Sequence, residues 1–486
     1  MDQNISAQEE SLKKKAAKGF LWGGLSNGLQ QVFGLIFGIV LLRTLSPEDY
    51  GLVGILTIFS SIASSLTESG FVSAISIKKD VTKADYNAVF WFCIFLGAFI
   101  YMLLFLLSPV IADFYEIPAL ALLAQVSFLN FFISSFGVAH SANLTRNLRI
   151  KERANANIVA VFVGGILAIA VAFAGWGYWA LVVQNLSYCL VYVLLSWRYS
   201  SFRPSFQINL APVKPMLAYS NKLIITNVFF HLNNNFLSAV LGKYVPIAQV
   251  GQYNSANRWN LTVQSFTLSI SNMIIQPLMT EASQSGEERR IRVFRKLLSF
   301  ISFITFPSMF GLALIAPDFV LLAGGGEWAE SGNYLRILAF GGAFAIVSNA
   351  FSNYTLSKGK SDTYMKNMVA FGLIQIALFF LLKEAGVTYI VMSFAVLNFI
   401  WLNTWYFLSK ESLQYSYRYL WKDVYAYALI ALAGYLMTFW WINMLPSALL
   451  RLSLSVLSMG AVYIVLTYFF NKETFLEIKK FFQNKL

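Results

Sequence analysis

Residues 87–112 read NAVFWFCIFLGAFIYMLLFLLSPVIA, and no side chain in that run carries a charge. A helix rises about 1.5 Å per residue and the hydrocarbon core of a bilayer is about 30 Å thick, so this run is long enough to cross as a helix. It is continuously apolar, without the strict alternation that marks a membrane barrel strand. Reading outward in both directions with the same rule gives fourteen candidate spans. The first seven lie near 19–43, 51–75, 87–112, 119–142, 156–174, 178–197 and 217–241. The rest lie near 251–277, 296–322, 333–357, 365–382, 386–408, 424–443 and 448–470. The expected fold class is all-α integral membrane, with about 14 transmembrane helices.

Composition leads the same way. Of 486 residues, 57% are hydrophobic and 12% charged, against roughly 45–50% apolar and about 25% charged in soluble chains. That little charge cannot cover a water-soluble surface of this size. The 44 Phe, 24 Tyr and 12 Trp exclude a disordered chain, and two cysteines exclude a disulfide framework. Cys93 and Cys189 fall in the third and sixth spans, where they read as small buried hydrophobes. The connections between spans are too short for a soluble domain, which removes the usual home of a catalytic site.

The formal net charge of +13 is unevenly placed. With the N-terminus cytoplasmic, inner segments hold 29 of the 36 basic residues. They include Lys13 to Lys15 and Lys18, the run Arg146, Arg149, Lys151 and Arg153, and the run from Arg289 to Lys296. Outer segments hold Arg43, Lys243, Arg336, Lys383 and Arg451. By the positive-inside rule both termini are expected in the cytoplasm. Residues 1–18 then form a cytoplasmic N-terminal segment, too polar and acidic for an ordinary cleaved signal, and 471–486 a cytoplasmic basic tail.

Comparing the halves suggests a repeat. The first and seventh spans exit through Pro-to-Gly loops, Pro47–Gly51 and Pro246–Gly251, whose glycines are 200 residues apart. The third and ninth spans end at Pro109 and Pro317, offset 208, and the fourth and tenth at Asn143-Leu144-Thr145 and Asn353-Tyr354-Thr355, offset 210. The expected organisation is two six-helix lobes in parallel repeat, 19–198 and 199–409, with a terminal helix pair at 410–470. The bland reading of the same residues is that Pro and Gly simply punctuate helix ends.

Polar stripes mark helices that face water inside a membrane protein. The eighth span carries Asn254, Arg258, Thr262, Ser265, Ser269, Asn272 and Gln276 at spacings of three and four, which keeps them on one face. The first carries Gly19, Gly23, Asn27, Gln30, Gly34 and Gly38, of which Gly34 and Gly38 serve close helix packing equally well. The second carries Thr57, Ser61, Ser64 and Glu68, and the seventh Lys222, Thr226, Asn227, His231, Asn233, Asn234 and Asn235. Ionisable groups within spans are Glu68, His140, Lys222, His231 and Arg258; each costs about 2.5–3.5 kcal/mol at the membrane centre and needs a partner or a wet cavity. Lys222 lies shallow enough to snorkel, and His140 reads as a packed interfacial histidine. The cluster is mainly cationic and suits an anionic substrate, phosphate in particular. Glu68 reads either as a proton or cation relay or as the partner of a base.

Other signals carry less. In Leu356-Ser357-Lys358-Gly359-Lys360-Ser361 the position of the first P-loop glycine is held by Tyr354, so no nucleotide site is expected. No Cys, His and carboxylate cluster has metal-ligand spacing. The basic runs are accounted for by orientation and anionic membrane lipid, without nucleic acid. No cofactor and no catalytic residue are expected.

Several blocks together resemble a known family: Lys14-Lys15-Ala16-Ala17-Lys18-Gly19-Phe20-Leu21-Trp22-Gly23, LLRTLSPEDYG at 41–51, Glu68-Ser69-Gly70-Phe71, Gly177-Tyr178-Trp179-Ala180-Leu181, and Val250-Gly251-Gln252-Tyr253 through Arg258. They look like Wzx-type bacterial polysaccharide exporters, of the colanic-acid-exporter-like branch of the multidrug/oligosaccharidyl-lipid/polysaccharide superfamily. The resemblance covers essentially the whole chain. It implies a flippase moving undecaprenyl-diphosphate-linked oligosaccharide across the bacterial inner membrane by alternating access, coupled to a proton or sodium gradient. It implies a diphosphate-binding role for Arg258 and, less directly, Lys222 and His231, and an ion-coupling role for Glu68. Asn27, Gln30, Asn227, Asn254 and Asn272 would meet sugar hydroxyls. Three other readings stay open at this point: a multidrug exporter of the same superfamily, which would want acids in its cavity; a membrane glycan polymerase or ligase, which would want a large outer loop; and a non-transporting scaffold, which would have no need for a continuous polar stripe.

Overall fold

A computed structural model describes residues 22, 24, 26–68, 71–283 and 287–470. Side chains are described throughout these except at 67–68, 73, 76–77, 217–227, 269–283, 287 and 470. The chain is all-helical, with no strand among the described residues. Helix α1 covers 26–44. It is followed by α2 Pro47–Glu68, α3 Phe71–Ile77, α4 Lys83–Tyr115, α5 Ala119–Ser135, α6 Val138–Arg146, α7 Ile150–Phe173, α8 Trp179–Tyr199 and α9 Val213–Tyr244. Then come α10 Ile247–Ser283, α11 Glu287–Gly324, α12 Ala329–Ser357, α13 Ser361–Leu382, α14 Val387–Leu413, the short α15 Tyr417–Leu420, α16 Ala426–Ile442 and α17 Ala448–Phe470.

Ten of these helices are long and apolar enough to cross a membrane, or eleven if the bent pair α5 and α6 is one span. Fourteen is not reached by that measure among the described residues. The reason is chemical: α9 and α10, at 32 and 37 residues, are long enough but carry the polar stripes, and the start of the first expected span lies outside the described residues.

Boundaries differ from expectation where local chemistry overrides hydropathy. Pro47–Gly51 is the first turn of α2, not a loop. Ser46 caps it: the Asp49 carboxylate accepts from the Ser46 backbone N–H at 2.9 Å and from its hydroxyl at 3.1 Å, while the Asp49 N–H donates back to Ser46 Oγ. Proline at the first helical position loses no hydrogen bond, since that N–H has no partner in the helix. Pro109 and Pro317 do not end their helices; α4 and α11 run through them to Tyr115 and Gly324. The expected span 119–142 bends by 43° between α5 and α6. There the hydroxyls of Ser134 and Ser135 donate to the carbonyls of Phe131 and Phe132, three residues back, competing with the helix ladder just before Gly137.

The chain forms two compact units, Met1–Gly251 and Gln252–Leu486. In the first, α7 packs on α8 so closely that a Cβ at Gly164 would fall 2.9 Å from the Gln184 carbonyl, and Phe37 of α1 lies against Gly165. Helix α9, expected at the start of the second lobe, belongs to this unit: Asn235 reaches Ser61 of α2, and Tyr115 Oη at the end of α4 donates to the Ala239 carbonyl. Phe71, Val89, Phe90, Cys93, Val138 and Phe202 belong to one buried cluster of this unit. In the second unit α11 is the central helix. Phe306 packs edge-on against Phe344 and Phe310 at a tilt against Phe340 of α12, Arg295 pairs with Asp423, and Arg451 of α17 pairs with Asp318.

Candidate functional site

The first unit holds a cavity of about 900 Å³ among α2, α5, α6, α7, α8 and α9. Its wall is built by helical periodicity. Thr57, Ser60, Ser61, Ser64 and Ser65 of α2 recur at threes and fours, as do Ser127, Asn130 and Ser134 of α5 and Asn185, Tyr188 and Tyr192 of α8. Each helix therefore turns one hydroxyl- and amide-bearing face inward. Hydrocarbon has no use for such faces, whereas a hydroxyl-rich ligand or water does.

Charge enters this wall through Arg153 near the start of α7, and His231 of α9 adds a titratable ring. The four basic residues at 146–153 show why Arg153 differs. Arg146 donates from Nη1 to the carbonyls of Ile75 and Lys78 and from Nη2 to that of Lys79, capping the end of α3. Arg149 donates to the Tyr199 carbonyl at the end of α8, and Lys151 sits over the Trp22 ring at 5.0 Å. Arg153 instead lines the cavity, with Nη1 donating to Thr145 Oγ1 at 3.2 Å. Orientation alone does not account for it.

Residues singled out from sequence fall into three groups. His231 lines the cavity, half-buried, with its ring edge-on to Phe230, and its carbonyl accepts from Asn235 Nδ2 at 3.0 Å, the same amide that reaches Ser61 Oγ at 3.2 Å. Asn27 and Gln30 do not line this cavity. Asn27 is exposed, and Gln30 donates to Ser26 Oγ at 2.9 Å, whose hydroxyl donates to the Ala154 carbonyl, so Gln30 joins the packing of α1 on α7. Asn254 and Arg258 lie in the second unit, the first half-buried and the second exposed; Thr262 Oγ1 donates to the Arg258 carbonyl and Ser265 Oγ to that of Thr262. The side chains of Glu68, Lys222, Asn227 and Asn272 lie outside the described residues.

Sequence reading missed Arg153, Asn130, Asn157, Asn185 and the tyrosines of α8. The signal was present: Ser127, Asn130 and Ser134, and likewise Asn185, Tyr188 and Tyr192, repeat at helical spacing within otherwise apolar spans. His140 is a packed residue, buried against Trp197 at 4.5 Å between centroids, with neither ring nitrogen hydrogen-bonded among the described residues. Cys93 and Cys189 are buried and unlinked. Among the described residues no three His, Cys, Asp or Glu side chains gather as a metal site.

Comparison with known proteins agrees with the architecture. A membrane protein encoded in the cps region of Klebsiella pneumoniae is 27% identical over 376 residues, covering 76% of each chain. The lipopolysaccharide biosynthesis protein WzxC of Escherichia coli is 24% identical over 362 residues, covering 73% of each. The fold is shared with the lipid II flippase MurJ in an inward closed conformation, with a TM-score of 0.76 at 14% identity, covering 93% of this chain and 99% of that one. The family model described as polysaccharide biosynthesis protein matches residues 40–333, more than half of the chain. This chain belongs to that polysaccharide biosynthesis protein family, as its resemblance to Wzx-type exporters led one to expect.

Proposed function

We propose that this protein is a flippase that moves an undecaprenyl-diphosphate-linked oligosaccharide across the bacterial inner membrane by alternating access. The observation that carries the reading is the cavity of about 900 Å³ whose wall sets serines, a threonine, asparagines, two tyrosines and Arg153 among valines, Leu56 and Phe230. A glycan offers hydroxyls to such a wall, and a diphosphate offers oxygens that a guanidinium binds with charge-assisted hydrogen bonds. The polyprenyl tail stays in lipid. The Escherichia coli relative is named for lipopolysaccharide biosynthesis, and the MurJ neighbour for flipping lipid II; both are consistent with a lipid-linked saccharide as cargo.

Within this reading Arg153 is the diphosphate contact of the first unit and Arg258 that of the second. Both termini face the cytoplasm, and a proton or sodium gradient drives the cycle through Glu68. The function is tested by deleting the gene in its host and measuring surface glycan. Loss of the glycan, with lipid-linked repeat units accumulating on the inner face and both restored by a plasmid copy, is expected. Unchanged surface glycan in the deletion overturns the proposal. Glycan export that persists after the proton and sodium gradients are collapsed removes the coupling role of Glu68. A C-terminal tag reached from outside intact cells removes the topology.

A further inference from the structure

We infer that Tyr188 and Tyr192 of α8 form a stacking platform for one pyranose ring of the transported glycan. The inference rests on the proposed function and names a sugar-binding subsite within its cavity. The two rings lie one helical turn apart, 6.2 Å between centroids and within 8° of parallel. Both line the cavity and both are half-buried. Each hydroxyl is tethered: Tyr188 Oη donates to Asn157 Oδ1 at 2.9 Å, and Tyr192 Oη lies 3.2 Å from Ser141 Oγ. A phenol held at its tip keeps its ring axis in place, so both rings stand at the cavity wall before any ligand arrives.

The chemistry of the wall selects the ligand. An aromatic face is electron-rich, and the axial C–H face of a pyranose is the part of a sugar that packs on it. The ring-edge hydroxyls then need hydrogen-bond partners. Helix α5 supplies them: Ser127 Oγ and Asn130 Oδ1 line the same cavity, buried and with no hydrogen-bond partner among the described residues. Asn130 stands against α8 beside the platform, its carbonyl accepting from Cys189 Sγ at 3.7 Å. Buried polar atoms are nearly always paired, so open capacity of this kind marks a place for a ligand or ordered water. An acyl chain would use the rings and leave Ser127 and Asn130 unsatisfied. A pyranose uses both.

The test is saturation-transfer NMR on the full chain in lipid nanodiscs, with the methyl pyranosides of glucose, galactose, mannose and N-acetylglucosamine as separate probes. At least one probe should receive saturation, strongest at its ring C–H protons. The double change Tyr188→Leu with Tyr192→Leu should weaken that probe about tenfold, the factor that corresponds to roughly 1.4 kcal/mol of lost stacking. Tyr188→Phe with Tyr192→Phe keeps both ring faces and should retain most of the signal, and Tyr192→Trp should retain all of it. Four silent probes with the wild-type chain, or Leu variants that bind as wild type, overturn the platform. Loss of binding in the Phe pair equal to that in the Leu pair overturns it too, because the hydroxyls and not the faces would then be the contact. Surface glycan in the same variants keeps the two readings separate: a gene whose deletion changes nothing sinks the flippase, whereas full export by the Leu pair sinks only the platform.

Discussion

Gly51 in the first turn of α2 and Gly251 in the first turn of α10 meet backbone to backbone. A Cβ placed on Gly251 would fall onto the Pro47 carbonyl, and one on Gly51 onto the carbonyl of Ile247. The two glycines are the ones that stand 200 residues apart at the Pro-to-Gly segments noted in the sequence. A methyl group has nowhere to go at either, because the obstructing atoms are main chain and cannot rotate away. Gly251→Ala should therefore cost about 1–3 kcal/mol, the usual penalty of overpacking, read as a lower melting temperature of the purified protein. Gly28, with nothing within 4 Å of its added Cβ, is the control: Gly28→Ala should leave that temperature unchanged.

Among the arginines of 146–153, function and structure should separate by position. Arg153→Ala removes the guanidinium on the cavity wall and should lower glycan export at least tenfold, at a protein level close to wild type, since it gives up a hydrogen bond to Thr145 and no helix cap. Arg153→Lys, which keeps charge without the planar fork, should fall between. Arg146→Ala should instead lower the amount of folded protein, because three carbonyls at the end of α3 lose their cap. Export rates normalised to membrane-embedded protein check the distinction. Equal normalised export by all three variants would remove Arg153 from the site.

That contrast also shows what the sequence could and could not reveal. Helicity, membrane class and family were legible because they depend on long apolar runs and on motif blocks such as Pro47–Gly51, which no single contact decides. The α2 stripe of Thr57, Ser61 and Ser64 was legible for the same reason, being a periodicity. Arg153 was not, since one basic residue among four in a positive-inside segment looks like its neighbours until it is seen which of them cap helix ends. The bend at Gly137 was hidden because Ser134 and Ser135 interrupt the helix through local hydroxyl bonds that leave hydropathy unchanged. Gln30 donates to Ser26 within the packing of α1 on α7, and periodicity alone cannot tell a cavity from a polar helix contact.

Glu116 and Lys243 join the ends of α4 and α9 at 2.7 Å. The hydrogen bond from the Lys243 ammonium, and after it the ammonium's charge, holds the Glu116 carboxyl below its usual range. A carboxyl lowered on folding stabilises the folded state above its unfolded pKa and loses that contribution as pH falls through the folded one. Lys243→Ala should thus be slightly less stable than wild type at neutral pH. The two melting curves should converge as pH drops below the carboxylate range near 4. The pair is exposed, so 0.5 M salt should also narrow the gap. A difference that persists in acid would assign Lys243 a packing role instead, on the Phe114 ring that its ammonium also overlies at 5.4 Å.

Asp423 is 4% exposed and lies in the π-helical turn Trp421–Tyr425 that leads into α16. Arg295 of α11 donates to both its oxygens, at 2.9 and 3.1 Å, while stacking its guanidinium 3.9 Å above the Tyr419 ring. Tyr415 Oη adds a third donor at 2.8 Å. Burial, and after it the charge of Asp423, pushes the Tyr415 phenol up, so it stays a donor at any working pH. Arg295→Met would leave a buried carboxylate without its cation, which costs about 3–5 kcal/mol in other proteins; the low end is expected here because the Arg295 side chain is 33% exposed. Replacing both ends, Arg295→Met with Asp423→Leu, should recover more than half of that loss, since a buried ion pair is about as stable as the apolar pair that fills its place. A double-mutant cycle in urea melts of the purified protein measures the coupling. If the double variant is as unstable as the sum of the singles, the pair does not act as a unit, and the hold of α11 on the turn before α16 would rest on Tyr415 and Tyr419 instead.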